Sequence, residues 1–356
     1  MEVNPHSTYV VIMAGGVGSR FWPASTDEKP KQFLDILGIG KSLLRMTYER
    51  CLRFVDRDNI LVITNARYFG LVKNEIPEIN DHNILLEPSR NNTAPCLAYA
   101  ALRIKSMDDQ AVFAVLPSDH VILKEDVFAE LMRQGMRFAK SQDAIVTLGI
   151  QPTRPDTGYG YIHTEQGPTL PYAVKAFVEK PDRATAEKYL SSGTYLWNAG
   201  IFIWSNQTLL RAFEKYEPSI LELLNAHPGV FNTPGEQAFI DGVYPGTKNI
   251  SIDFAILEKA NNVYSLPADI GWSDLGTWAS LFDYQAKDEN SNVLQSHAAT
   301  FLQDVNDCLV RVQGQKKLVL RGLSNFIIVD EDNALLIYPK DKEQDIKTAV
   351  NQLNSK

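Results

Sequence analysis

The sequence predicts an α/β protein: a mostly parallel sheet with crossover helices, followed by a small β-rich segment. Three observations carry this. Short apolar runs rich in β-formers recur at 9–13 (YVVIM), 60–64 (ILVIT), 83–87 (NILLE), 111–116 (AVFAVL) and 144–150 (AIVTLGI). Stretches with helical spacing, such as 42–54 and 94–104, alternate with them, as in parallel strands joined by helices. After 288–292 the rhythm changes, and short runs at 308–312, 317–322, 325–330 and 334–339 follow one another closely. The chain has 356 residues, 44% of them hydrophobic, which suits a large core plus a small appendage. The expected division is a domain over 1–285 and a small β domain over 286–356.

The first strand runs into AGGVGSRFWPAS at 14–25, followed by KPKQF at 29–33. A glycine-rich turn after a buried strand brings backbone amides close to phosphate, and Arg20, Lys29 and Lys31 add cations within one short stretch. The segment therefore suits a polyphosphate. It does not fit the dinucleotide turn G-x-G-x-x-G, because Phe21 stands where the third glycine belongs. The segment DILGIGKS at 35–42 ends like a P-loop, but Asp35 stands at its first position and a carboxylate there repels phosphate. In open α/β sheets, ligands lie beyond the carboxyl ends of the strands, where Gly15, Glu87 and Asp119 fall. LPSDH at 116–120 and WSDLGTW at 272–278 supply Asp119 and Asp274. Each alone is ordinary turn or cap vocabulary; meeting at a triphosphate, the pair would hold Mg²⁺.

AGGVGSRFWP followed by KPKQF resembles the signature of the sugar-1-phosphate nucleotidyltransferases, and the FWP and KPKQF wording resembles their mannose-1-phosphate guanylyltransferase branch. The resemblance covers nearly all of residues 8–280. It implies a Rossmann-like, GT-A-like catalytic domain and a tail resembling a short left-handed β-helix that helps the enzyme dimerise, although no hexapeptide period is evident there. By resemblance, Arg20 and Lys31 hold the triphosphate, and Asp119 and Asp274 bind the metal. EPSRNNTAP at 87–95 contacts base and ribose, while Asn92 or Thr93 also caps the helix that follows. The nucleotide set is then Ala14, Gly15, Gly16, Gly18, Arg20, Lys31, Pro88, Asn91, Thr93, Ser118 and Asp119. Three later motifs address the sugar phosphate: Gly160 in DTGYGYI, Glu179 and Lys180 in VEKP, and Asn198 in WNAG.

The implied reaction is transfer of GMP from GTP to mannose 1-phosphate, giving GDP-mannose and pyrophosphate. Arg20, Lys31 and Lys180 act as catalytic cations and Mg²⁺ as cofactor. The phosphate nucleophile is already ionised, so no activated Ser, Cys or His is required. Alternatives left open are another sugar 1-phosphate, another nucleotide, or a non-catalytic nucleotide-sugar binding protein. An isomerase activity is not expected, since the tail carries no His/Glu cluster.

The formal charge of −8 argues against nucleic acid as a partner. No apolar run has membrane-spanning length and the N-terminus lacks a signal pattern, so the expected setting is the cytoplasm, without membrane association; a homodimer is what the resemblance implies. Cys51, Cys96 and Cys308 are too scattered for a C-x-x-C redox or zinc pair, their odd count argues against a disulfide framework, and the six histidines lack metal-ligand spacing.

Overall fold

The computed structural model describes residues 7–16 and 18–354. The chain forms two compact units. The first comprises Met1–Gly15, Thr47–Ser118 and Ile122–Trp272; the second comprises Gly16–Met46, Asp119–Val121 and Ser273–Lys356. This division differs from a linear boundary near 285. The second unit takes in most of the glycine-rich segment because Phe21, Leu34, Ile36 and Leu37 are buried in one cluster with Trp278, Leu309, Ile327 and Val329.

In the first unit, the strands are β1 (Thr8–Met13), β2 (Ile60–Asn65), β3 (Ile84–Glu87), β4 (Val112–Pro117), β6 (Ile145–Ile150), β7 (Tyr161–Glu165), β8 (Tyr172–Val178), β9 (Tyr195–Ser205) and β10 (Val263–Pro267). They form one sheet in the order β3-β2-β1-β4-β9-β6-β10-β8-β7. The two-residue strands β5 (Val121–Ile122) and β11 (Trp272–Ser273) are not part of it.

The expected parallel ladder holds across β3-β2-β1-β4 and recurs between β6 and β10. The sheet as a whole is mixed, because β9 runs antiparallel between β4 and β6. The reason lies in the connection. The helix Glu125–Ser141, which links β4 to β6, packs on β4, β9 and β6, so it spans a one-strand gap that the chain fills later. With apolar residues on both faces, the eleven residues of β9 are suited to that slot. The Ala-rich helix Thr93–Met107 is buried from Ala94 through Ile104.

At the carboxyl end of β1, the Ala14 amide donates to the Ile63 carbonyl (2.8 Å) and the Ser118 amide to the Met13 carbonyl (3.0 Å). The glycine-rich segment and the LPSDH loop therefore leave neighbouring strands at the same end, the end at which such sheets bind ligands.

In the second unit, β12 (Val293–Gln295), β14 (Leu309–Val312) and β16 (Phe326–Asp330) stack in parallel, and β13 (Thr300–Asn306) and β15 (Leu318–Ser324) form a second parallel pair. β17 (Leu335–Pro339) closes the first stack antiparallel on β16. The β-rich tail is thus a parallel coil of stacked rungs. Val293 faces Leu309 and Leu309 faces Ile327, spacings of 16 and then 18 residues, so no short fixed period could be read in the sequence. Buried Asn292 fastens the first turn by donating to the Val305 carbonyl (2.9 Å) and accepting from the Cys308 amide (3.0 Å).

Candidate active site

A cleft of about 350 Å³ in the second unit is lined by Gly18, Arg20, Phe21, Lys31, Asp119, His120, Asp274, Gly276 and Lys347. Gly18 begins a short turn, Ser19–Phe21, with φ 65°. A Cβ on Gly18 would lie 2.4 Å from the Lys31 Cβ, so this position requires glycine on two counts, handedness and space. Phe21 is fully buried and meets the Trp278 ring edge-on at 4.8 Å, which leaves Arg20, its neighbour, exposed at the cleft. Gln32 donates to the Gly16 carbonyl (2.9 Å), tying KPKQF back to the glycine segment.

Lys31 is 3% exposed. Its ammonium donates to Asp119 Oδ2 (3.1 Å) and to the Asp274 carbonyl (2.6 Å), and lies 5.6 Å from the Phe21 ring centroid. Burial alone would raise the Asp119 carboxyl, but Lys31, with His120 at 3.9 Å, outweighs it and holds Asp119 below the ordinary carboxylate range. Asp274 accepts the Gly276 amide through Oδ1 (3.2 Å). Five of the residues singled out in the sequence, Gly18, Arg20, Lys31, Asp119 and Asp274, are therefore brought together. Lys347 is an addition to them; a lysine in a helix near the C-terminus gives no sequence signal. Lys29 is exposed and does not line the cleft. The P-loop-like segment keeps its amides for itself, since the Asp35 carboxylate accepts from Ile39 (2.9 Å) and Gly40 (2.7 Å).

The first-unit residues expected at the nucleotide form a tightly bonded frame. The Ala14 carbonyl accepts the Thr64 hydroxyl (2.7 Å), and the Ser118 carbonyl accepts that of Thr47 (3.2 Å). Asn91 is buried and donates to the Tyr244 carbonyl and to Thr247, while Thr93 accepts the Ile252 amide (2.8 Å). The side chains of Asn91 and Thr93 thus hold the loop after β3, where Pro88 lies. Asn92 caps the helix by accepting the Thr93 amide (2.9 Å). Glu87, at the end of β3, accepts the Tyr244 hydroxyl, and a Cβ on Gly15 would stand 3.5 Å from its other oxygen. Burial pushes the Glu87 carboxyl up to about 7, against the lowering effect of the Tyr244 bond. In the sequence, Glu87 stands out only as the end of a strand.

The residues expected to address the sugar phosphate also converge within the first unit. A Cβ on Gly160 would lie 2.5 Å from Glu179 Oε2, and the Asn198 amide donates to the Gly160 carbonyl (2.8 Å). Lys180 donates to Glu179 Oε1 (2.7 Å), and the Asn198 carboxamide donates to Asp253 Oδ1 (3.2 Å). Asp253 opens a π-helical turn, Asp253–Leu257, and escapes sequence reading because one Asp in an apolar helical stretch looks like any other. Burial first, and then Glu179, raises its carboxyl to about 6. Arg154 stacks over Tyr159 and Trp197, with Trp272 edge-on to Tyr159 at 5.2 Å, adding an aromatic wall to the first unit.

The nucleotidyl transferase family model matches residues 9–291. The chain is 36% identical over 348 residues to a mannose-1-phosphate guanylyltransferase of Klebsiella pneumoniae, covering 96% of this chain and 72% of that protein. It is 38% identical over 351 residues to mannose-1-phosphate guanylyltransferase RfbM of Salmonella typhimurium, with 96% and 72% covered. The crystal structure of mannose-1-phosphate geranyltransferase from Thermus thermophilus superposes with a TM-score of 0.87 at 29% identity, over 98% of this chain and 99% of that one. From the motif order, the cleft and these likenesses together, the chain belongs to the nucleotidyl transferase family, in the branch of the mannose-1-phosphate guanylyltransferases.

Proposed function

We propose that the protein transfers GMP from GTP to mannose 1-phosphate, releasing pyrophosphate and forming GDP-mannose. The observation that carries the reading is the convergence of Arg20, Lys31, Asp119 and Asp274 on one cleft, in a chain of this family. An oxygen of the sugar phosphate attacks the α-phosphorus of GTP. The new P–O bond forms as the α–β anhydride bond breaks, and the electron pair leaves with pyrophosphate. Arg20 and Lys31 stabilise the charge gathering on that leaving group; Lys180, beside Glu179, offsets repulsion between the reacting anions. Glu179, Asn198 and the backbone at Gly160 receive the sugar.

The donor set fits a hard divalent cation. Asp119 and Asp274 offer carboxylate oxygen in one cleft, and Lys31 keeps Asp119 ionised. Among the described residues no group of three or more His, Cys, Asp or Glu could form a cage by itself, which suits an ion that would be held by few carboxylates together with phosphate and water oxygens. Bound there, Mg²⁺ would supply charge neutralisation on the α- and β-phosphates.

The reading includes a homodimer in the cytoplasm. Exposed Phe301 and Val319, register partners on β13 and β15, offer surface to a second copy. Sedimentation of the pure chain tests this. No helix among the described residues is long and apolar enough to cross a membrane.

The decisive experiment measures pyrophosphate release across four nucleoside triphosphates and a panel of sugar 1-phosphates, with and without Mg²⁺. Highest kcat/KM for GTP with mannose 1-phosphate, abolished by chelation, is expected. Preference for another pair overturns the substrate assignment, and failure of every pair overturns the reaction.

A further inference from the structure

We propose that Lys347, in the C-terminal helix Ile346–Asn354, is a phosphate-binding cation that grips the terminal phosphate of the nucleoside triphosphate. The inference rests on the nucleotidyl transfer reading above, and assigns to the tail a part in substrate binding. Lys347 lines the same cleft as Arg20, Lys31, Asp119 and Asp274. It is exposed and makes no ion pair among the described residues.

Its position is fixed by its neighbours. Ile346, one residue earlier, is 1% exposed and lies in the cluster that holds Phe21 and Trp278. The helix packs on the turn Ser19–Phe21, which carries Arg20. Just upstream, Glu343 accepts the Ala279 amide (2.7 Å), pinning the segment that leads into the helix. The Lys347 backbone is therefore held by apolar burial on one side and a hydrogen bond on the other, while its long side chain remains available to the cleft.

The charge balance explains why another cation is needed. Lys31 is already engaged with the Asp119 carboxylate and the Asp274 carbonyl. The two carboxylates of the cleft repel a polyanion until a divalent cation screens them. That leaves Arg20 and Lys347 as the exposed cations of the cleft, and Arg20 is partly offset by nearby Glu343. A lysine acts here as a point charge with free rotation, suited to a phosphate that must later leave.

The test titrates inorganic tripolyphosphate with Mg²⁺ into the full chain and into Lys347→Gln and Lys347→Arg, and measures KM for both substrates. Expected are a loss of about tenfold in tripolyphosphate affinity for the Gln variant, a parallel rise in KM for GTP with KM for mannose 1-phosphate unchanged, and recovery in the Arg variant. Unaltered melting temperature in the Gln variant is expected of an exposed position. Tripolyphosphate binding by Lys347→Gln equal to that of the unaltered chain overturns the proposal while leaving the reaction assignment standing. Failure of the unaltered chain itself to bind tripolyphosphate removes the phosphate cleft, and Lys347 with it. Because this probe has neither base nor sugar, a different nucleotide or sugar preference leaves the role of Lys347 untouched.

Discussion

On the proposed mechanism Lys31 has two separable effects, one on the reaction and one on the fold. In the proposed reaction both Arg20 and Lys31 stabilise the leaving group, so Arg20→Ala or Lys31→Met is expected to lower kcat by about a hundredfold or more. Arg20 is exposed, so its variant keeps the melting temperature of the parent, whereas Lys31→Met strips Asp119 of its partner. Asp119 is held below its usual value of 3.8, so the stability this pairing contributes is present above that pH and fades as pH falls through the depressed value. Denaturant titrations should show the Lys31→Met deficit shrinking in acid; a deficit constant with pH contradicts the pairing. Glu87 has the opposite sign. Its carboxyl rises from 4.5 to about 7, so its contribution is intact below 4.5 and is lost as pH climbs toward 7. Glu87→Gln should therefore gain stability relative to the parent over that window, by up to ~3 kcal/mol. Parallel stability curves for the two proteins would rule this out. Arg20, Lys31 and Asp274 could be singled out in the sequence because their motifs are local and specific, and the three line one cleft. Asp253 and Glu87 were not, because what marks them is burial and a neighbour remote in sequence: Tyr244 for Glu87, Glu179 for Asp253.

At the scale of elements, the glycine segment works by letting two stretches of chain touch. Gly18 has φ 65° and no room for a methyl beside Lys31, whereas Gly40 has φ 81° with nothing within 4 Å. Gly40→Ala should cost only the left-handed backbone penalty of about 1–2 kcal/mol and retain turnover. Gly18→Ala should cost more and reduce turnover sharply, because it must displace the Lys31 side chain. Thermal melts alongside kinetics check the pair; equal behaviour of the two variants would show that the contact with Lys31 is unimportant. Strand positions were readable from apolar runs, and β1, β2, β4 and β6 fall where those runs lie. The direction of β9 was not readable, since a strand apolar on both faces fits a parallel or an antiparallel slot equally well. The strands β12 and β13 were also unmarked, because 293–306 alternates weakly and exposes Leu294 and Phe301.

For the whole molecule, the second unit is assembled from three distant pieces of chain. No composition shift announces that, so a boundary drawn along the sequence at 285 separates residues that share a core. A chain ending at 285 would leave Phe21, Leu34 and Ile36 without Leu309, Ile327 and Val329. Such a fragment should lose turnover and be cleaved rapidly by trypsin at Arg20 and Lys31, as mass spectrometry of the digest would show. A soluble fragment with the parent's kcat/KM and digestion pattern would mean that 16–46 holds its shape unaided.

The reversal at the end of the coil has a further effect. Parallel rungs can in principle be extended without limit, each offering its free amides and carbonyls to the next. Because β17 doubles back on β16 and ends in Pro339 followed by Lys340, that end of the stack presents a reversed, proline-terminated strand instead of a fresh parallel rung, which works against growth into filaments from that side.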